Sequence, residues 1–149
     1  MVKSIEPQKK KYNQLYIDMA DATARQSVAE RRKVGAVIVL TTGVISVGWN
    51  GMPPGFSNVC EWQCEDGKGY DTGKTKPELI HAERNALDKL TRQGVPTEGS
   101  ILFVTTAPCF ECAKSIYSVG IKEVHYRDVQ SNTKGLEFLK KVKIPTFKY

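Results

Sequence analysis

The sequence has 149 residues, and its 22 Lys and Arg against 16 Asp and Glu give a net charge of +6. At that length one domain, residues 1–149, is expected, with a core large enough to need no disulfide staples. Hydrophobic content of 40% and charged content of 26% argue against disorder. The longest apolar run, residues 34–40, is far short of the ~20 residues a membrane span needs. The first ten residues are polar and basic without an apolar stretch, so a cytoplasmic protein is expected, with no membrane partner.

In chain order, residues 12–32 read as a helix: Leu15, Met19, Ala22 and Gln26 recur at spacings of three and four, among alanines. Residues 34–40 form a β-branched run, Thr41-Thr-Gly43 turns the chain, and residues 44–49 alternate, which predicts a hairpin. Residues 50–77 hold five Gly and three Pro and read as one long functional loop containing Cys60 and Cys64. A helix is expected over 79–93, stopped by Gly94 and Pro96. Strand 101–105, helix 109–119, strand 121–126, a short helix over 132–141 and a marginal strand over 142–147 follow. Strands alternating with helices after an opening hairpin make an α/β domain with a mixed sheet.

Without an export signal, the cysteine pair 109 and 112 reads as a metal or redox pair rather than a disulfide. The basic balance suits anionic partners such as nucleotides, and equally a solvated surface. No basic tract resembles a nucleic-acid arm, so no nucleic-acid partner is expected.

The chemistry concentrates in His81-Ala-Glu83 and Pro108-Cys109-Phe-Glu-Cys112, each opening a predicted helix with a strand between them. Cys109 and Cys112 are three apart, so both thiols lie on one face of a first helical turn. With His81 they make a three-ligand zinc set that leaves a fourth position for water, the open arrangement of catalytic zinc. Helix N-termini favour the thiolate form, and a zinc-held water has its pKa lowered to roughly 7. Glu83 at the first turn can reach the metal and move protons. The order HxE then PCxxC is a known signature of zinc-dependent nucleobase deaminases.

With these residues in place the chain resembles the cytidine deaminase-like superfamily, and within it the deoxycytidylate (dCMP) deaminases. The resemblance rests on Lys33-Val-Gly-Ala-Val-Ile-Val39, Gly48-Trp-Asn-Gly-Met-Pro-Pro-Gly-Phe-Ser-Asn58, Lys76-Pro-Glu-Leu-Ile-His-Ala-Glu-Arg-Asn-Ala86 and Pro108-Cys-Phe-Glu-Cys-Ala-Lys114. The stretch around His81 is similar to phage versions. The resemblance implies a three-layer αβα fold around a central mixed five-stranded sheet. It implies hydrolysis of dCMP to dUMP and ammonia, supplying dUMP for thymidylate synthesis.

Residue by residue, it implies that His81, Cys109 and Cys112 hold a catalytic Zn2+ and that Glu83 shuttles protons. Substrate contacts fall to the Ala82 backbone, Asn50 and Tyr126; relatives carry a phosphate-binding Arg where this chain has Gln26, and Arg25, adjacent, and Arg31, nearby, are the candidates for its place. A homohexamer activated by dCTP and inhibited by dTTP with Mg2+ is also implied. Gly48, Asn50, Gly51, Met52, Asn85 and Arg92 are the effector-site candidates. Some relatives bind a second zinc through a Cys where this chain has Ala29, and Cys60 and Cys64 are candidates for such a site. A tRNA adenosine deaminase shares HAE and PCxxC, but the long loop and GWNGMPPG count against it. A non-catalytic zinc module leaves Glu83 unexplained, and a thioredoxin-like pair leaves His81 unexplained.

Overall fold

The computed structural model describes residues 6–64 and 70–149. A 3-10 turn, Lys10–Tyr12, leads into α1 (Asn13–Ala24), then the hairpin β1 (Gly35–Val39) and β2 (Ile45–Trp49). A second hairpin, β3 (Glu61–Gln63) and β4 (Tyr70–Thr75), precedes α2 (Ala82–Arg92). The rest alternates: β5 (Ile101–Thr106), α3 (Phe110–Ser118), β6 (Glu123–Asp128), α4 (Lys134–Lys141) and β7 (Thr146–Lys148).

The main sheet has five strands in the order β2-β1-β5-β6-β7. β1 is antiparallel to both neighbours, whereas β5, β6 and β7 run parallel, so the sheet is mixed as expected. β1 is buried at every position because helices cover both faces. Its Ala36 and Ile38 pack with Ala86, Leu87, Ala113, Ile116 and Leu139 of α2, α3 and α4. Val37 and Val39 pack on the other face with Tyr16 and Ala20 of α1. The period-2 alternation of a strand thus divides one apolar run between two cores, and the result is a three-layer αβα fold.

Several boundaries differ from the sequence expectation, each for a tertiary reason. α1 ends at Ala24, not 32. The Ser27 hydroxyl donates to the Asn50 carbonyl at 2.7 Å, and the Glu61 carboxylate accepts from the Glu30 and Arg31 amides. These long-range bonds outweigh the helix propensity of the alanines. The expected loop 50–77 contains the β3–β4 hairpin, anchored by the buried Cys60 and Glu61. The last strand sits at 146–148 rather than 142–147, because Lys143 adopts a positive φ of 62° and Pro145 has no N–H to donate. α2 and α3 begin after 79 and 109, which leaves His81 and Cys109 immediately outside their helices. Among the described residues no helix is long and apolar enough to cross a membrane.

Gly48 of β2 explains how closely α2 lies on the sheet. A Cβ there would collide with the Ala82 carbonyl oxygen and come within 2.5 Å of the Ala86 nitrogen. Gly48→Ala is expected to lower stability by about 1–3 kcal/mol through overpacking. Urea unfolding read by circular dichroism checks this, and an unchanged midpoint would contradict the packing argument.

Candidate active site

Two helix starts build the site. His81 is the N-cap of α2 with φ −68° and ψ 154°, and Cys109 is the N-cap of α3 with φ −70° and ψ 170°. Both residues are extended, so each side chain leaves its backbone just ahead of a turn of unpaired amides. The α2 start is held by a bridge between Gly51 and Ile80. The α3 start follows directly from β5 through Ala107 and Pro108. Arg84 of α2 donates to the Ser115 hydroxyl of α3 at 3.1 Å and fixes one helix against the other.

The consequence is a compact donor cluster. The His81 Nδ1 lies 3.5 Å from the Cys109 Sγ and 3.4 Å from the Cys112 Sγ. All three ligand atoms lie within 4.8 Å of one another, and they are the one such group of three among the described residues. Two sulfurs and one imidazole nitrogen suit zinc, and three protein ligands leave a position open.

The electrostatics fit the same use. The Cys109 Sγ accepts from the Cys112 amide at 3.4 Å, as an N-cap acceptor does. Hydrogen bonding from Cys112, then from His81, holds the Cys109 thiol down at about 4 against burial. Cys112, the donor of that bond and itself buried, is pushed up. The hydrogen bond to Cys109 raises His81. Glu83 is 4% exposed, and burial raises its carboxyl above the usual range. A carboxyl of that kind holds a proton more readily near neutral pH and can pass it on.

A cavity of about 170 Å³ opens over the cluster. His81, Ala82, Glu83, Cys109, Thr106 and Ala107 line one part, and Arg31, Arg32, Asn50, Glu61, Thr75 and Gln130 contribute the remainder with Val34 and Leu79. The structure therefore gathers His81, Ala82, Glu83, Cys109 and Asn50 as the sequence expected. Arg25 is instead an exposed residue at the α1 C-terminus and is not among the lining residues, whereas Arg31 and Arg32 are. Tyr126 is also absent from that cavity; it packs beside the α2–α4 core and lines a separate cleft with Leu136, Lys140 and Ile144.

The expected effector residues have structural partners. The Asn50 Oδ1 accepts from the Val34 amide at 2.9 Å, and its Nδ2 donates to the Arg32 carbonyl at 2.8 Å. One lone pair and one hydrogen remain for a ligand. Asn85 donates to the Trp49 carbonyl at 2.7 Å, satisfying the outer edge of β2. Gly48 packs on α2, Gly51 forms the bridge to Ile80, Met52 is half-buried beside it, and Arg92 is exposed in the last turn of α2. The Cys60 thiol donates to the Asn58 carbonyl, and no described residues assemble a three-ligand group around Cys60 and Cys64.

Residues 10–127 match the cytidine and deoxycytidylate deaminase zinc-binding region. The chain belongs to this family. It is 34% identical over 121 residues to the deoxycytidylate deaminase of Mycobacterium phage D29, covering 77% of this chain and 93% of the relative. It is 35% identical over 135 residues to that of Schizosaccharomyces pombe, covering 84% of this chain but only 40% of the yeast protein. A crystal structure of the dCMP deaminase from cyanophage S-TIM5 in complex with dCMP and dUMP superposes with a TM-score of 0.83. That pair shares 36% identity over 95% of this chain and 99% of the phage chain.

Gly135, which sequence reasoning did not single out, bears on the metal ligands of this family member. A Cβ there would overlap the Pro108 carbonyl oxygen and approach the Cys109 carbonyl carbon at 2.9 Å. Gly135→Ala should therefore displace the Cys109 backbone from α4 and weaken zinc binding. Competition against a chromophoric chelator is expected to show at least about tenfold lower affinity, in line with other losses of metal-site support. Wild-type affinity in the variant would show that α4 does not position Cys109.

Proposed function

We propose that the chain hydrolyses dCMP to dUMP and ammonia at a zinc centre held by His81, Cys109 and Cys112. The observation that carries this reading is the composition of one cavity. Glu83, His81 and Cys109 line it together with Arg31 and Arg32, with Cys112 buried beneath them, so an acid–base carboxyl and a pair of cations face the same small ligand. When bound, zinc supplies a water acidic enough to serve as nucleophile near neutral pH.

The residues of the chain divide the remaining work. The Ala82 backbone and Asn50 orient the base and sugar, Asn50 through the one donor and one acceptor left free. Arg31 and Arg32 bind the 5′-phosphate in charge-assisted hydrogen bonds. Glu83 takes a proton from the attacking water and delivers it to the ring nitrogen. A second transfer through the same carboxyl protonates the departing amino group, so that ammonia leaves and the C4 oxygen becomes a carbonyl. Its burial among apolar groups keeps bulk water from competing for those protons.

Control by dCTP, dTTP and Mg2+ in a hexamer is the regulated form of this reading. Gly48 and Asn85 are taken up by internal packing and Asn50 faces the substrate in this reading, which leaves Gly51, Met52 and Arg92 as the residues of that set most available to an effector.

Ammonia release from dCMP, deoxycytidine and a tRNA anticodon stem-loop by the zinc-loaded protein tests it. The expected result is turnover of dCMP, a kcat/KM for deoxycytidine lower by about 10- to 100-fold for the lost charged contacts, and none on the stem-loop. Glu83→Gln should keep its zinc while kcat falls by about 10²–10⁴-fold. Turnover of the stem-loop with dCMP untouched would overturn the assignment.

A further inference from the structure

The proton chemistry leaves one buried carboxylate unused. Glu61 lies on β3 at 1% exposure and lines the cavity with the arginines. Its Oε1 accepts the backbone amides of Glu30 at 3.0 Å and Arg31 at 2.9 Å. Those two donors belong to the segment where α1 fails to continue, 31 and 30 residues away in sequence from their acceptor. In the hairpin register Glu61 pairs with Thr75 of β4, and the Thr75 hydroxyl lies 3.4 Å from the Arg31 Nη1. The end of the β3–β4 hairpin thus grips Arg31 twice, by its backbone through Glu61 and by its side chain through Thr75. Asn50 holds the other side of the segment through the Arg32 carbonyl and the Val34 amide.

A fully buried carboxylate is expensive unless its charge is met by hydrogen bonds. Two backbone amides donating to one oxygen meet it, and they also fix the chain that carries both arginines. We infer that Glu61 is a positioning residue for the phosphate end of the substrate cavity, acting through the Glu30–Arg31 backbone rather than by touching the reacting atoms. This rests on the reading of Arg31 and Arg32 as phosphate ligands. The hairpin then acts on which substrate is accepted, not on the rate of the chemical step.

The test is a comparison of substrates across Glu61 variants of the zinc-loaded enzyme. Glu61→Ala is expected to raise KM for dCMP by about 10- to 100-fold with kcat within about threefold, because two charge-assisted bonds are lost and the chemistry is not. Kinetics on deoxycytidine, which has no phosphate, should stay within about threefold of wild type. Glu61→Gln keeps an accepting oxygen and should restore most of the affinity for dCMP. If the alanine variant does not fold, Glu61→Asp serves instead, since it retains the charge but withdraws it by one methylene. Hydrogen exchange gives a readout independent of activity: the Glu30 and Arg31 amides should be protected in wild type and exchange early in Glu61→Ala. An unchanged KM for dCMP, or equal losses on dCMP and deoxycytidine, would overturn the inference while the deaminase reading stands. A wild-type enzyme inactive on dCMP would instead remove the deaminase reading, and this inference with it.

Discussion

Two helices that begin at the same point in space organise this molecule. α2 and α3 each start with unpaired amides and partial positive charge, and each places a metal-ligating side chain at its N-cap. Everything that fixes those two starts serves the site. Gly48 lets α2 lie against β2, Gly135 lets α4 lie against the Pro108–Cys109 peptide, and Arg84 joins α2 to α3. The central strands β1 and β5 are buried on both faces, which gives the helix starts a rigid base. A chain with the same cysteines but looser helix packing would hold the same atoms without holding their separation.

The cavity is divided electrostatically by this arrangement. At the metal end hydrogen bonds from Cys112 and His81 favour an anionic Cys109 sulfur, and burial keeps Glu83 inclined to carry a proton. At the other end Arg31 and Arg32 supply fixed positive charge from a segment with no regular secondary structure. That segment has its geometry imposed from outside by Ser27, Asn50 and Glu61. The overall +6 charge of the chain adds a favourable long-range field for an anionic nucleotide.

The metal end was legible in the sequence because its determinants are local. His81 and Glu83, and Cys109 and Cys112, are neighbours along the chain, so spacing alone gathers each pair at a helix start. The alternation of the 34–40 run and the helix stops at Gly94 and Gly120 likewise depend on nearby residues. The arginine end was legible only in part, Arg31 being one of two candidates, for the opposite reason. Arg31 and Arg32 sit in a stretch whose composition favours helix, and only contacts to residues 50 and 61 pull it out of that state. Glu61 looked like one polar residue in a glycine-rich loop, with no local mark of its burial. Tyr126 was placed by family resemblance, and its position in the structure, facing α4, follows from which side of β6 an even-numbered residue occupies.

The central claim is that one ion is held by one nitrogen and two sulfurs at the joined helix starts, with a position left for water. X-ray absorption at the zinc edge of the purified protein tests it most directly. One zinc per chain is expected, four-coordinate, with two sulfur, one nitrogen and one oxygen scatterers. A closed shell of four protein ligands, or a chain that takes up no zinc, would contradict it.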